Sequence, residues 1–239
     1  SQPGPVMDLK VRDVARLLRV SEKTIYRWAK KGTLPSNRLH DQYLFNRVEI
    51  QEWAAARNHP LSPTLFDANE TAPAGSTGLA DTITRGGIYR AVPGTTREEV
   101  LEAVSRLRGI PDSADRALIA RLLIGREALA STAVGDGIAI PHSRDPLVLG
   151  VDAPTVLLCF LANAVDFGAL DGKPVRTLFT IICPSIPLHL KTLSKLAFAL
   201  HDKALRTLLR EGATDDALLA QIKATEATTT GGGGLAEHQ

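Results

Sequence analysis
The stretch GDGIAIPHSRDP, residues 135–146, decides how the second half of this chain folds and where its chemistry sits. Ile138, Ala139 and Ile140 form a short apolar run. Turn formers bound it on both sides, Gly135-Asp136-Gly137 before and Ser143-Arg144-Asp145-Pro146 after. The pattern reads as a strand between two turns. Pro141 has no N–H for a ladder, so strand pairing is expected to stop there. His142 is then presented just past a strand end, where α/β sheets collect ligands and reactive groups. Position alone favours a partly exposed loop histidine, so the neighbouring segments have to decide.

From residue 87 onward, strand and helix patterns alternate. GIYRAV reads as a strand, and REEVLEAVSRL as an amphipathic helix with Val100, Leu101, Val104 and Leu107 inward. ADRALIARLLIGRE is a second helix. PTVLLCFLANAV and VRTLFTIICP are nearly continuous apolar runs of the kind found in sheets covered on both faces. IPLHLKTLSKLAFALHD and ATDDALLAQIKA complete the pattern as helices. This is an α/β sandwich with a mixed β-sheet flanked by helices, over residues 87–226.

A second histidine matters here. His189, Leu193, Leu196 and Leu200 share one helical stripe, and Pro187 marks the helix start. His189 thus faces inward in a first turn, where backbone amides and the helix dipole favour an anion. Alone it reads as a core or capping histidine. With His142 and Arg126 it composes a site for a phosphoryl group. A neutral imidazole is a nucleophile near neutral pH. Phosphoryl transfer asks mainly for in-line positioning and for charge compensation at the equatorial oxygens. Arg126 can compensate with its fork of donors, and His189 with a hydrogen bond. Such chemistry needs neither metal nor cofactor, and the six histidines have no HExxH-type spacing. His40, His59, His201 and His238 read as ordinary surface residues.

The first 58 residues differ in charge from the rest. They carry 11 Lys+Arg against 6 Asp+Glu, whereas the remainder carries 17 against 20. A basic small segment joined to a mildly acidic larger one points to an anionic partner, with nucleic acid first among them. In VRDVARLLRVSEKTIYRWAKKG, the residues Val11, Val14, Leu17 and Leu18 form one apolar stripe, and Ser21 is a good N-cap for a second helix. That helix turns Ile25, Trp28 and Ala29 inward and Lys23, Arg27, Lys30 and Lys31 outward, and Gly32 and Pro35 end it. A hairpin about His40-Asp41 and a last helix packing Val48, Ile50 and Trp53 follow. The candidates for DNA contact are Lys23, Thr24, Arg27 and Lys30. A basic protein-interaction domain of the same shape is the other reading.

Residues 59–86 are rich in Pro, Ala, Ser, Thr and Gly and read as a linker spanning roughly 30 Å if fully flexible. Residues 227–239 read as a disordered tail. Cys159 and Cys183 lie in apolar runs without CxxC spacing, which fits a reduced, cytoplasmic protein. No run of about 18 apolar residues occurs, and the opening SQPGPVMD has no signal-peptide core.

Two family resemblances follow from these residues. VRDVARLLRVSEKTIYRWAKKGTLP, with Phe45, Ile50 and Trp53 beyond it, resembles the helix-turn-helix of the MerR and excisionase-like group over residues 7–58. REALASTAVGDGIAIPH, with HLKTLSKLA about 47 residues further on, resembles enzyme IIA proteins of the fructose/mannitol class of the phosphotransferase system, and most of all their nitrogen-regulatory branch. That second resemblance implies that His142 accepts phosphate from a histidine phosphocarrier protein, that His189 lies beside it and that Arg126 lines the site. The expected function is a phosphorylation-responsive regulator, a phosphocarrier-type transferase rather than a turnover enzyme. Its expected partners are the phosphocarrier, DNA and regulated target proteins, with no membrane. Homodimerisation through the larger domain would supply a second DNA contact. A sugar-specific IIA component serving a IIB partner, and a DNA-binding protein with an inert IIA domain, are the alternatives.

Overall fold
The computed structural model describes residues 9–39, 42–46, 49–50, 53–54, 57, 78–112, 114–143 and 151–230. The chain divides into two compact units, Ser1–Ala72 and Pro73–Gln239.

In the first unit, β1 (Leu9–Lys10) leads into α1 (Val11–Leu17) and α2 (Glu22–Lys30), followed by β2 (Asn37–Leu39) and β3 (Gln42–Phe45). The strands form an antiparallel sheet in the order β1-β3-β2. Val11, Val14, Leu17 and Leu18 are all buried, as their stripe requires, together with Ile25, Ala29 and Phe45. The Ser21 hydroxyl accepts from the Thr24 amide at 3.2 Å and so starts α2 where the sequence places it. Gly32, at φ 67°, ends it. The β2–β3 register brackets the expected hairpin, whose His40-Asp41 turn lies outside the described residues, as does Val48. Glu49, Ile50, Trp53 and Ala54 are helical, and Ile50, Trp53 and Ala54 are buried.

The second unit runs α3 (Leu79–Gly86), β4 (Ile88–Val92), α4 (Arg97–Ser105), α5 (Arg116–Leu129), β5 (Ala133–Gly135), β6 (Ile138–Ala139), β7 (Thr155–Val165), β8 (Val175–Ile182), α6 (Ile186–Ala199), α7 (Lys203–Glu211) and α8 (Asp215–Thr230). Its five strands lie in the order β4-β7-β8-β6-β5. β4 is parallel to β7, β7 antiparallel to β8, β8 parallel to β6, and β6 antiparallel to β5. The sheet is therefore mixed, and β7 and β8 at its centre are buried along most of their length. Their apolar runs are continuous because both faces are covered. Cys159 and Cys183 lie within this core, where burial pushes their thiols up to about 12 and about 11. No helix among the described residues is long and apolar enough to cross a membrane.

The structure corrects the sequence reading at several points. Strand pairing does not stop at Pro141: the Ile181 amide donates to the Pro141 carbonyl at 2.9 Å, and His142 makes a parallel bridge to Ile181. Proline lacks only the N–H, and here the neighbouring strand uses its carbonyl side. The region 59–86 is not linker to its end, because α3 occupies Leu79–Gly86. Glu226 of α8 caps it from 147 residues away, accepting from the Leu79 amide at 2.5 Å and, through its other oxygen, from the Ala80 amide at 3.2 Å. Lys195 stands 3.6 Å from the same carboxylate. The helix read over 186–202 ends at Ala199, and Asp202 caps a separate α7 by accepting from the Ala204 amide at 2.8 Å. Residues 227–230, read as tail, belong to α8, and residues 231–239 lie outside the described residues.

Backbones cross closely at two glycines. A Cβ on Gly109 would lie 1.8 Å from the Gly86 carbonyl oxygen, and one on Gly86 would lie 2.2 Å from that of Val156. The α3 terminus is thus wedged between the 109 turn and β7. Gly125, by contrast, is exposed on α5 with open space around its missing Cβ. Gly109→Ala is expected to lower the unfolding free energy by about 3 kcal/mol, the upper end of the usual overpacking cost. Gly125→Ala should raise it by roughly 0.5–1 kcal/mol. Chemical denaturation of both variants beside wild type checks the pair, and equal midpoints for the two would contradict the packing described.

Candidate functional site
Both histidines take their places from the end of β8. On one side of that strand, the Pro141 carbonyl and the His142 bridge hold residue 142 against Ile181. Beyond Ile182 the chain runs directly into α6, capped by the Ser185 hydroxyl, and carries His189 in its first turn. The two imidazoles meet with ring centroids 5.1 Å apart and planes 42° apart. Each residue is only 3% exposed, so His142 is a buried group and not the exposed loop histidine that its flanks allow.

The His142 Nδ1 lies 2.7 Å from the Ile140 carbonyl oxygen. A carbonyl only accepts, so Nδ1 carries the hydrogen and Nε2 keeps the lone pair in the neutral ring. His189 differs from expectation in one detail. Its backbone N–H already donates to the Ser185 carbonyl at 3.0 Å, and the Leu188 N–H donates to the Ser185 hydroxyl at 3.5 Å. What the helix start contributes at these positions is its dipole rather than free amides.

Arg126 occupies the last turn of α5, is 8% exposed, and donates from Nη1 to the Ala130 carbonyl at 2.8 Å. Its neighbour Glu127, absent from the sequence-based candidates, carries the next links inward. The Thr132 amide donates to Glu127 Oε1 at 3.0 Å and the Thr132 hydroxyl to Oε2 at 2.5 Å. The Thr132 carbonyl in turn accepts from the Ile140 amide at 3.0 Å. Glu127, Thr132, Ile140 and the His142 ring are thus joined by consecutive hydrogen bonds. The Arg-Glu pair ahead of the glycine turn was the sequence signal for this support.

On the first unit, Lys23, Arg27 and Lys30 are exposed at spacings of four and three along α2, one cationic face. Thr24 is half-buried, and its hydroxyl lies 3.0 Å from that of Ser21, so it also serves the helix cap. Tyr26, which the sequence reading passed over, is 50% exposed and sets its ring edge-on to Tyr43 at 6.1 Å.

Burial raises the Glu127 carboxyl above its ordinary value of 4.5, against the opposing pull of the Thr132 hydrogen bonds and of the Arg126 and Arg97 charges. The folded chain therefore holds this proton more tightly than the unfolded chain does. The stability difference between wild type and Glu127→Gln should be greatest for wild type below pH about 4.5 and shrink as pH rises through the window up to the raised value. Thermal melts of both proteins across that range give the test. A pH-independent difference would mean that folding leaves the Glu127 carboxyl at its ordinary value.

Comparison with known proteins gives the family of each unit. Residues 83–225 match the family described as phosphoenolpyruvate-dependent sugar phosphotransferase system, EIIA 2, and residues 9–58 match a helix-turn-helix domain family. The chain is 38% identical over 144 residues to a nitrogen regulatory protein of Pseudomonas aeruginosa, covering 59% of this chain and 91% of that one. It is 36% identical over 138 residues to a fructose-specific EIIA component of Haloferax volcanii, covering 56% and 81%. Among solved structures, the nitrogen regulatory protein IIA-Ntr of Neisseria meningitidis superposes with a TM-score of 0.53 at 29% identity, over 60% of this chain and 98% of its own. The chain belongs to the EIIA 2 family of the phosphotransferase system and carries a helix-turn-helix domain ahead of its EIIA domain.

Proposed function
We propose that this chain is a cytoplasmic histidine phosphoacceptor of the nitrogen-regulatory EIIA kind whose phosphorylation state is read out through an attached DNA-binding unit. The observation that carries the reading is the His142 imidazole, with Nδ1 tied to the Ile140 carbonyl and its ring set against His189. That arrangement leaves Nε2 as the nucleophile. The donor is a histidine phosphocarrier protein. The His142 Nε2–phosphorus bond forms as the carrier's own nitrogen–phosphorus bond breaks, and the carrier imidazole departs with the bond's electron pair and takes up a proton. Arg126 and His189 serve as compensation for a group that brings about −1.5 to −2 charge into a buried position. Leu129, three residues past Arg126, and Ile186, three before His189, are exposed apolar side chains beside these elements and suit a protein donor better than a small one.

In this reading the first unit meets DNA through α2. Lys30 and Arg27 supply phosphate affinity, and Lys23 and Thr24 face base edges. One domain of this size binds weakly by itself, so a second copy on a neighbouring half-site, through homodimerisation, completes the interface. Regulated target proteins are further partners of the phosphorylated or free EIIA surface. A second reading has a specific motive: the resemblance to a fructose-specific EIIA component is nearly as high as that to a nitrogen regulatory protein. A sugar-transport role would pass the phosphoryl group onward to a IIB partner.

Incubation with phosphoenolpyruvate, enzyme I and a histidine phosphocarrier, followed by intact mass measurement, should add one phosphoryl group, on Nε2 by NMR. His142→Ala should take none, and His189→Ala should take it about 100-fold more slowly. DNA affinity is then compared between the two states. Phosphate on His142→Ala would remove the assigned acceptor, and equal DNA affinity in both states would remove the coupling.

A further inference from the structure
The first unit holds an open concavity of about 450 Å³ lined by Arg27, Trp28, Lys31, Thr33, Trp53 and Arg57. Its floor is an indole pair, Trp28 and Trp53, with ring centroids 5.2 Å apart. Hydrogen bonds fix that pair. Trp53 Nε1 donates to the Thr33 carbonyl at 2.5 Å, and the Thr33 hydroxyl donates to the Trp28 carbonyl at 3.1 Å. The Arg57 guanidinium lies over the Trp53 ring, 4.8 Å from its centroid, so its position is set before any ligand arrives. Arg27, Lys31 and Arg57 are exposed, and among the described residues no carboxylate pairs with any of the three. Among the described residues, the lining includes no acidic side chain.

Three cations converging on one wall repel each other, and an anion seated among them relieves that repulsion. The apolar floor adds a second requirement: the anion should carry an apolar neighbour that can lie against indole. A DNA backbone meets both conditions, with a phosphodiester beside the face of a deoxyribose. Continuity points the same way. Arg27 belongs at once to this lining and to the cationic face of α2 with Lys23 and Lys30. A duplex that receives α2 in its major groove brings its walling backbone past the C-terminal end of that helix, where Lys31 stands.

We propose that this concavity is a phosphate-binding site for duplex DNA, with Lys31 and Arg57 as backbone-contact residues beyond the face of α2. The inference rests on the reading of α2 as a DNA-binding helix and assigns different work to different residues. Lys31 and Arg57 position the duplex without sequence preference, whereas the residues early in α2 discriminate.

The chain contains only two tryptophans, and both line this site, so the intrinsic fluorescence of the full-length protein reports its occupancy directly. Titration with a short duplex of scrambled sequence should change that fluorescence in step with binding followed on labelled DNA. In the Lys31→Gln/Arg57→Gln double variant, checked for a native melting transition, the slope of log affinity against log salt should fall by about 1. The loss should be equal on every sequence tested. Wild-type binding with silent tryptophans, or an unchanged slope in the double variant, overturns the site while leaving DNA binding by α2 intact. Failure of the wild type to bind any duplex at low salt overturns the DNA reading itself. A fluorescence change with poly-glutamate in that case would reassign the concavity to acidic peptides.

Discussion
Strand β8 is the reference on which the functional geometry of the second unit depends. It lies between β7 and β6, buried over nearly all its length, so its backbone cannot shift without breaking two ladders. At its far end it does two things within a few residues. Its Ile181 amide holds the Pro141 carbonyl, which fixes the backbone of His142, and its continuation past Ile182 becomes the helix that carries His189. Residues 47 positions apart in sequence are therefore placed against one rigid element rather than against each other. A contact between two rings on separate loops would have to be held by side chains alone. Here the backbone hydrogen bonds of a central strand hold it, which suits the proposed phosphoryl transfer, a reaction tolerant of little misplacement.

The same logic extends one layer outward. Edge strand β5 is only three residues long, too short to hold a register unaided. Its approach is anchored instead by the buried Glu127 carboxylate, which takes both donors of Thr132, and by Thr132's own bond to Ile140. At the opposite end of this hairpin Asp136 takes a bond from Lys173 at 2.8 Å and one from Arg206 of α7, while its amide donates to Asp171 at 2.8 Å. These latter ion pairs are solvent-exposed and individually weak. The Glu127 contacts are buried, where an unmade bond is costly, so they and not the outer pairs hold the segment next to His142.

Much of this was legible in the sequence, because the decisive signals are local. The apolar runs of β7 and β8, the stripe of α6 with its inward His189, and the Ser21 cap of α2 each lie within a dozen or so residues, and each is found where its pattern places it. What escaped has a physical reason in each case. α3 sits in a stretch rich in Thr, Gly and Ala with little helical signal. It is held by Glu226 and by the burial of Leu79 and Ile83, all consequences of tertiary folding. The burial of His142 is likewise set by strands distant in sequence. α7 is different, since its signals were present: Asp202 as cap, Leu205 and Leu209 as buried stripe, and Gly212 in the left-handed conformation at its end. The sequence reading absorbs Asp202 into the tail of a longer apolar pattern and leaves residues 203–212 unassigned, whereas an Asp at the close of one helix is also a start signal for the next. Pro141 was read for the donor it lacks, and the acceptor it retains proved to matter more.

The two units put opposite demands on charge. The first concentrates cations on α2 and around its tryptophans, a disposition that favours polyanions in general and leaves selectivity to few contacts. The second carries a slight acidic excess and a buried histidine pair. In the proposed function, a phosphoryl group gained there makes it more acidic still. Any influence of that group on DNA affinity is a coupling free energy, and it must run in both directions: whatever factor phosphate applies to DNA binding, DNA applies to the phosphotransfer equilibrium. A factor of ten in either corresponds to about 1.4 kcal/mol. That is comparable with one good charge-assisted hydrogen bond, so a single contact made in one state and lost in the other is enough. Coupling of this size therefore requires no large rearrangement of either core. It requires only that one charged side chain have a different partner in the two states.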